Sequence, residues 1–322
     1  MISPGKRVAF GVLMAILVVA LAAPWLSLRD PTAQPDGTVL RELPPGSRVH
    51  AVALADGGLR YADEVRQGEN GAVTLRRGER RETIPAVELA GAAEREWHRR
   101  PLFLLGTDAF GRDLLSRLIH GARVSLWVGL LAALMSIGIG TGVGLLAGFS
   151  GGIVDGLLMR MADVALAVPR LFLALLLVSL YGRSLTTTIV VLGATTWMAA
   201  ARIVRGQVLT LEQQDFVQAA RAAGAPPWRT MLAHLLPATL GAVRVEGTLR
   251  VADAILLEAA LSFMQVGVQP PRPSWGNLIL DGKRLLPDAW WISALPGAAL
   301  IVTVIALQRL GEADDAPIPG RR

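Results

Sequence analysis

The sequence predicts an all-α polytopic membrane protein with six transmembrane helices and a small β-rich extracytoplasmic insert between the first two. Three observations support this fold class. Hydrophobic residues make up 52% of the 322-residue chain. They lie in long uncharged runs rather than in short periodic segments, as a hydrocarbon core about 30 Å thick requires. Between the first two runs lies a charged stretch with many turn signals.

Composition excludes several classes of protein. The chain has no cysteine, so neither a disulfide framework nor a thiolate metal site can form. The four histidines show no metal-ligand spacing, and we expect no metal site; they are His50, His98, His120 and His234. The net charge of +6 fits arginine-rich cytoplasmic loops. Because no basic-aromatic recognition module is present, we expect no binding to nucleic acid.

The first element, residues 1–28, is predicted to be an N-terminal transmembrane helix. Val8–Leu28 is free of charge and follows Lys6-Arg7. Ala20-Leu21-Ala22 also fits a signal-peptidase site. We favour an uncleaved span, because the run is long and the basic residues hold its start inside the cell.

Residues 29–100 form the predicted insert. They contain twelve arginines and twelve acidic residues, and alternating stretches at Val49–Leu54 and Ala72–Leu75 indicate β-strands. A loop of this length can be translocated despite its arginines. We therefore expect a small soluble unit on the extracytoplasmic side.

The other five spans are predicted within residues 101–311. They are Val124–Phe149, a stretch within about 154–182, Leu185–Ala201, Ala238–Val266 and Ala289–Leu307. The first of these five is rich in glycine, which lets neighbouring helices approach closely in lipid. The next carries Asp155 and Asp163, so we expect its first turns at the cytoplasmic interface or against other protein.

Six spans place both termini on one side of the membrane. Basic residues collect on that side, which indicates that the N-terminus and the tail 312–322 are cytoplasmic. Tryptophan is favoured at membrane interfaces, and four tryptophans then fall near the outer one: Trp25, Trp127, Trp290 and Trp291.

Residues 214–237, between the fourth and fifth spans, predict two short helices joined by a turn. One small apolar side is formed by Phe216, Ala219, Ala220 and Ala223. Gly224 permits the left-handed conformation that ends a helix, and Pro226-Pro227 starts a new direction. A second amphipathic stretch, Trp228–Leu236, is predicted to end at Pro237, where the fifth span begins.

Four stretches resemble, in order and spacing, the dipeptide/oligopeptide/nickel branch of ABC importer permeases. They are Leu104–Arg117 with Gly121–Arg123, the segment 214–237, Glu258–Asn277, and Trp290-Trp291 with Pro296-Gly297. Together they cover about residues 102–311, and their order resembles the C-type member of a pair of permease subunits. One departure is Gln218, where the family's coupling loop typically has glutamate.

The resemblance implies a type I ABC importer permease fold and a multi-pass protein of the bacterial inner membrane. It implies three partners: a second permease subunit in a heterodimer, two ABC ATPase subunits or domains, and an extracytoplasmic solute-binding protein. The ATPase-coupling residues it assigns are Gln218, Ala219, Ala220, Arg221, Gly224, Leu236 and Pro237. The candidate residues for docking of the binding protein are Asp108, Arg112, Asp113, Trp275 and Asn277.

Neither catalysis nor a bound cofactor is expected of the chain itself. It has no G-x-x-x-x-G-K-[ST] phosphate-binding loop, so we expect ATP and Mg²⁺ on the partner ATPases. Asp108, Arg112 and Asp113 resemble an acid–base cluster, but no nucleophile or histidine is arranged around them. A salt-bridge and helix-capping role is favoured for these three residues.

Charged residues of the predicted fifth span allow two interpretations. Glu246 and Arg250 share one helical side, and a structural ion pair is favoured for them. Asp253 and Glu258 lie deeper, where a charge costs about 3 kcal/mol. A structural role and a place on the translocation pathway are equally open for these two.

The predicted function is that of a permease subunit in an ATP-driven importer, with peptides as the expected solute. Nickel or another small solute of the same branch is the alternative. Two other classes stay open. One is a membrane-anchored sensor whose insert binds a ligand. The other is a self-contained secondary transporter, for which internal repeats with paired broken helices are expected and are not found in the sequence.

Overall fold

The computed structural model of the chain describes residues 4–27, 29–68 and 70–312. They divide into two compact units. The helical unit comprises Met1–Val18, Val124–Gln269 and Ala299–Arg322, and the strand-containing unit comprises Val19–Arg123 and Pro270–Ala298.

The described part of the chain is mostly helical. The helices are α1 (Pro4–Leu21), α2 (Ala23–Leu26), α3 (Glu94–Trp97), α4 (Leu114–Ser150), α5 (Gly152–Ala167), α6 (Arg170–Tyr181), α7 (Leu185–Thr195), α8 (Met198–Leu211), α9 (Asp215–Ala222), α10 (Pro227–Arg229), α11 (Leu236–Phe263), α12 (Trp275–Lys283) and α13 (Trp291–Gly311). A 3₁₀ turn at Ala86–Glu88 and a π-helical segment at Thr230–Leu235 complete them.

Within the described residues, four helical stretches are long and apolar enough to cross a membrane. They are α1, α4, the α7–α8 stretch Leu185–Leu211, and α13; α5 and α6 together would make a fifth. The predicted fifth span, 238–266, corresponds to α11, which is 28 residues long. It is not among the apolar stretches, because it carries Arg244, Glu246, Arg250, Asp253 and Glu258.

Two spans differ from their predicted form for local reasons. The second begins at Leu114 rather than at 124, because the Asp113 side chain accepts the Ser116 backbone N–H at 2.8 Å and so caps the helix. The third is not one straight helix: α5 and α6 meet at an angle of 88°. Pro169 explains the break, since proline lacks an N–H and restricts Val168 before it to an extended conformation.

The core of the helical unit lies between α4, α6, α7 and α11. Its fully buried members include Val128, Val178, Leu192 and Leu261. Gly140, Gly144 and Gly148 line the face of α4 that contacts α8. A Cβ added at Gly144 would lie 2.7 Å from Val204 Cβ, so the glycines allow the two helices to approach closely, as their density predicts.

The strand-containing unit holds three small antiparallel sheets. The strands are β1 (Ser47–Arg48), β2 (His50–Ala53), β3 (Leu59–Ala62), β4 (Glu64–Gln67), β5 (Val73–Arg77), β6 (Arg80–Ile84), β7 (His98–Arg99) and β8 (Leu102–Phe103). They pair in the orders β1-β8, β3-β2-β7 and β4-β5-β6. The stretches predicted as strands, 49–54 and 72–75, overlap β2 and β5.

The cores of this unit are small and apolar. One joins the two three-stranded sheets through Val52, Leu75, Ile84 and Trp97. The other surrounds Leu40 and Phe103, both fully buried. In β5 the buried Val73 and Leu75 alternate with the less buried Thr74 and Arg76, which is typical of a sheet with one solvated face.

Candidate functional site

The segment 214–237 begins with α9, which ends in a tight turn at Gly224. The Ala225 N–H donates to the Ala220 carbonyl at 3.1 Å, and the Gly224 N–H donates to the Arg221 carbonyl at 3.0 Å. These two bonds are a Schellman motif, whose penultimate residue must be left-handed. Gly224 has φ +78°, and a Cβ added there would meet nothing within 4 Å. Glycine is therefore required for its backbone conformation and not for lack of space.

Two buried side chains fix the segment to the helical unit. Val217 and Leu235 are fully buried. They belong to one apolar cluster with Leu145 of α4 and with Val204 and Val208 of α8. The segment is thus packed onto two long helices at both of its ends.

Polar contacts add a second attachment, at the end of α8. The Gln218 side-chain amide donates to the Glu212 carbonyl at 2.7 Å. A glutamate at this position would have no proton to donate, so the departure from the family's usual residue has a local reason. Arg221 pairs with the Glu212 carboxylate and lies over the Phe149 ring, 5.1 Å from its centroid. The charge of Arg221 is thus matched by Glu212 within the chain.

The second half of the segment does not end at Pro237. Helical structure runs from Pro227 through the π-helical segment 230–235 into α11 without a break. A proline within a helix leaves a carbonyl without its donor, and a π-helical turn just before it shifts the hydrogen-bonding register. Leu236 and Pro237 thus lie in the first turn of a continuous helix.

An exposed apolar surface remains on this segment. Phe216, Trp228 and Leu232 are 46%, 62% and 55% exposed. Ala219 and Ala223 are exposed beside them, and Ala220 is half-buried. We call these residues the coupling surface. These side chains are exposed although the segment that carries them is packed against α4 and α8.

In the strand-containing unit, Asp108 and Arg112 belong to a buried ionic cluster, here called the closed cluster. Asp108 accepts the Arg112 Nε–H at 2.6 Å and the backbone N–H groups of Phe110 and Arg112 at 2.9 and 3.0 Å. Arg112 and Arg117 both donate to Asp281, at 3.1 and 3.3 Å. Burial raises the pKa of the Asp281 carboxyl, and the two arginines oppose that shift.

The other predicted docking residues are also buried and have structural partners. Asp113 accepts the Ser116 N–H and hydroxyl and pairs with Arg29 at 3.2 Å. Asn277 and Ser274 form a reciprocal capping box at the start of α12. The Trp275 indole N–H donates to the Leu118 carbonyl at 3.3 Å. These contacts agree with the salt-bridge and capping role that the sequence favours.

Sequence reasoning missed two members of the closed cluster. Arg117 stands in the stretch 104–117, and its spacing of five residues from Arg112 was the available signal. Asp281 gave no signal, because it is 169 residues from Arg112 in sequence.

A second ionic cluster, the open cluster, joins α6 to α11 in the helical unit. Arg250 Nε lies 2.7 Å from Glu246 Oε1, and Arg250 Nη1 lies 3.1 Å from Asp253 Oδ2. Arg170 approaches Asp253 at 3.9 Å. The Asp253 and Arg170 side chains are 40% and 32% exposed. The structure thus confirms the ion pair expected between Glu246 and Arg250.

Glu258 has a different environment from Asp253. It is fully buried, accepts the Ser125 hydroxyl at 2.9 Å and accepts the Ser262 hydroxyl at 2.7 Å. The Ser262 hydroxyl in turn accepts the Val268 N–H at 3.0 Å. Glu258 therefore ties α4, α11 and the following loop together.

Known protein families resemble this chain in sequence. The profile of the binding-protein-dependent transport system inner membrane component family matches residues 140–313, more than half of the chain. The chain belongs to this family. As a member, it is a multi-pass inner-membrane protein and a transport component of a binding-protein-dependent system.

Individual permeases are similar over about two thirds of the chain. The di/tripeptide transport system permease DppC of Pseudomonas aeruginosa is 42% identical over 210 residues, 65% of this chain and 69% of the relative. The oligopeptide transport system permease OppC of Haemophilus influenzae is 40% identical over 207 residues, 64% and 67%. The glutathione transport system permease GsiD of Pectobacterium atrosepticum is 36% identical over 208 residues, 65% and 69%.

Proposed function

We propose that the chain is a permease subunit of an ATP-driven importer of peptides. The relatives described above are named for di- and tripeptides, oligopeptides and glutathione, and glutathione is itself a tripeptide. These names favour peptides over nickel as the solute class. A solute-binding protein would deliver the peptide, which is the arrangement that the family's description implies.

The coupling surface carries this proposal. Its exposed Phe216, Trp228 and Leu232 are held by the buried Val217 and Leu235. A rigid apolar patch between two membrane-spanning regions is suited to a groove on a separate ATPase. ATP and Mg²⁺ would be bound there, and two such ATPase subunits or domains would act on this chain and a second permease.

The translocation pathway would form between this chain and that second permease in a heterodimer. In this proposal α11 also spans the membrane, which raises the number of spans to six and brings both termini to the cytoplasmic side. Its charges must then face protein or water rather than lipid. Asp253, which is 40% exposed together with the partly exposed Arg170, is the residue we assign to the pathway. Glu258 is assigned a structural role, because its carboxylate is buried between serine hydroxyls.

On the outer side, the binding protein would dock on surfaces supported by the closed cluster and α12. Asp108, Arg112, Asp113, Trp275 and Asn277 would act indirectly, by fixing the backbone around them. The insert 29–100 would lie on the same side and could contribute to docking.

Replacing Gly224 tests the coupling role. Gly224→Val forces a β-branched residue into the left-handed region, at a strain of about 1–3 kcal/mol, and should remove most peptide uptake while membrane insertion stays normal. Gly224→Asn is the matched control, because asparagine tolerates this conformation, and it should retain uptake. The measurement is uptake of a labelled tripeptide by cells, with the amount of inserted protein determined in parallel.

Unchanged uptake by the valine variant would count against coupling through this turn. Co-purification separates the remaining classes. An ATPase and a second permease are expected with this chain, whereas a signalling kinase would support the sensor. Transport by the purified chain alone would support a secondary transporter.

A further inference from the structure

The long helix α11 ends in the same kind of turn as α9. The Val266 N–H donates to the Leu261 carbonyl at 2.9 Å, and the Gln265 N–H donates to the Ser262 carbonyl at 3.0 Å. These two bonds form a second Schellman motif, and Gln265 occupies its left-handed position with φ +64°. In α9 the same position is held by Gly224. The end of α11 therefore carries a side chain where glycine is the usual residue.

The left-handed conformation is unfavourable for any residue that has a Cβ. Two residues other than glycine adopt it within the described ranges, Glu42 and Gln265. The Glu42 carboxylate pairs with Arg41 at 2.8 Å. The Gln265 side chain is exposed and makes no hydrogen bond in the part of the chain that the structure describes. No contact among those residues compensates for the backbone strain, which favours an external partner for the amide.

Arg183 lies directly beside this turn. It follows α6, and its Nη1 atom donates to the Gln265 carbonyl at 3.3 Å. The Gln269 side-chain amide donates to the same carbonyl at 3.2 Å. Arg183 is exposed and forms no salt bridge with any residue that the structure describes. We call Arg183, Gln265 and Gln269 the turn site, which presents one exposed guanidinium and one exposed amide.

The turn site and the open cluster lie on the same two helices. α6 and α11 pack against each other in the core of the helical unit. Arg170 approaches Asp253 at the start of α6, and Arg183 contacts Gln265 just beyond its end. Since α6 has 12 residues, it separates the two sites by roughly 18 Å. Asp253 is the residue assigned to the translocation pathway, so a solute that follows these helices would pass both sites.

We propose that the turn site binds the C-terminal end of the transported peptide, with Arg183 on the carboxylate and the Gln265 amide on the last peptide group. This inference rests on the proposed function. A guanidinium presents paired donors that match a carboxylate, and a glutamine amide has the donor and the acceptor that a peptide group requires. The continuity with Asp253 along α6 and α11 favours the solute over a docked binding protein.

Two variants remove the turn site while keeping the turn. Gln265→Gly adopts the left-handed conformation at no steric cost and removes the amide. Arg183→Gln removes the charge. Their matched controls are Met264→Ala, which shortens the exposed neighbour of Gln265, and Arg160→Gln, which removes another exposed arginine that has no salt bridge in the described chain.

Uptake of radiolabelled trialanine is measured with the assembled importer and its binding protein in proteoliposomes. Gln265→Gly and Arg183→Gln should each lower the uptake rate about fivefold, the size expected for an exposed polar contact, and both controls should match the wild type. Gln265→Gly should unfold at the same temperature as the wild type or at a higher one, because the backbone strain is removed.

Arg183→Gln is also tested with trialaninamide, which lacks the terminal carboxylate. The ratio of trialanine uptake to trialaninamide uptake should fall about fivefold from the wild type to Arg183→Gln. The preference of the binding protein for either peptide cancels in this comparison, because the same binding protein serves both permeases.

An unchanged ratio, or normal uptake by Gln265→Gly, would overturn the turn site and leave the importer function intact. Failure of the wild-type importer to take up trialanine would instead contradict the proposed function, and the turn site with it. A lower unfolding temperature in Gln265→Gly would show that the glutamine stabilises the turn, which overturns a role in binding. A photo-crosslinker at Met264 that captures the binding protein instead of labelled peptide would identify the occupant as protein and overturn the proposal as well.

Discussion

The closed and open clusters use the same residue types in opposite ways. In the closed cluster, Asp108 is fully buried and accepts hydrogen bonds from a guanidinium and two backbone N–H groups. In the open cluster, Asp253 is 40% exposed. The buried Arg250 Nε and Nη1 atoms lie close to carboxylates without forming aligned hydrogen bonds.

This difference indicates which charged residues stabilise the fold and which are candidates for a role in transport. A buried charge is tolerated when hydrogen bonds satisfy it within the chain, as they do for Asp108 of the closed cluster. Charges on a membrane-spanning helix that remain partly exposed need water or another molecule to complete them. The open cluster is therefore the better candidate for a role that changes during transport.

The largest expected effect is on folding. Asp108→Ala leaves Arg112 and Arg117 buried with less compensation and should destabilise the chain by about 3–5 kcal/mol. Asp253→Ala should cost less than about 1 kcal/mol, since its pairs are partly exposed. Thermal unfolding in detergent, followed by fluorescence-detected size exclusion, measures both. Similar losses of stability in the two variants would show that the two clusters do not differ in their contribution to the fold.

An intermediate effect is expected on transport. Asp253→Asn keeps the shape of the side chain but removes the charge, and it should lower peptide uptake by about 2- to 30-fold at nearly unchanged stability. Thr248→Ser, on the same helix outside the cluster, is the control. Normal peptide uptake by Asp253→Asn would show that the charge of Asp253 is not needed for transport and would favour a structural role.

The smallest expected effect is a pH dependence in the strand-containing unit, outside both clusters. Burial lowers the pKa of His50 below its ordinary value of 6.5, with Arg100 and His98 acting in the same direction and Glu64 opposing them. His98 stacks on His50 and also contacts Glu94. The unfolded chain therefore takes up the proton first as the pH falls below 6.5.

The stability contributed by neutral His50 is accordingly present above pH 6.5 and is lost as the pH falls through 6.5 towards the lower folded-state pKa. Unfolding midpoints measured between pH 8 and about 5 should fall less in His50→Gln than in the wild-type chain. An unchanged slope in His50→Gln would show that other groups, the closed cluster included, govern the acid response.

Features set by neighbouring residues could be predicted from the sequence. Gly224 ends α9 as expected because its conformation depends on a few adjacent residues. The glycines of α4 pack closely because their spacing places them on one helical side. Contacts between distant residues could not be predicted: Asp281 joins Arg112 only through the tertiary fold.

The predicted break at Pro237 was wrong for a related reason. A single proline ends a helix only when its surroundings offer no alternative, and here a π-helical turn and the burial of Leu235 maintain the helix. Burial also distinguishes Asp253 from Glu258. The sequence left a structural role and a pathway role equally open for both residues. Exposure depends on packing between helices, and hydropathy alone does not specify it.

The uninterrupted helix from Pro227 to Phe263 has a mechanical consequence. At 1.5 Å per residue it is roughly 55 Å long, with Trp228 near one end and Glu258 near the other. Its π-helical segment and Pro237 lie near the Trp228 end, and the rest is regular α-helix. A displacement of Trp228 by a partner would therefore be carried along the helix towards Glu258, whose carboxylate accepts the Ser125 hydroxyl of α4.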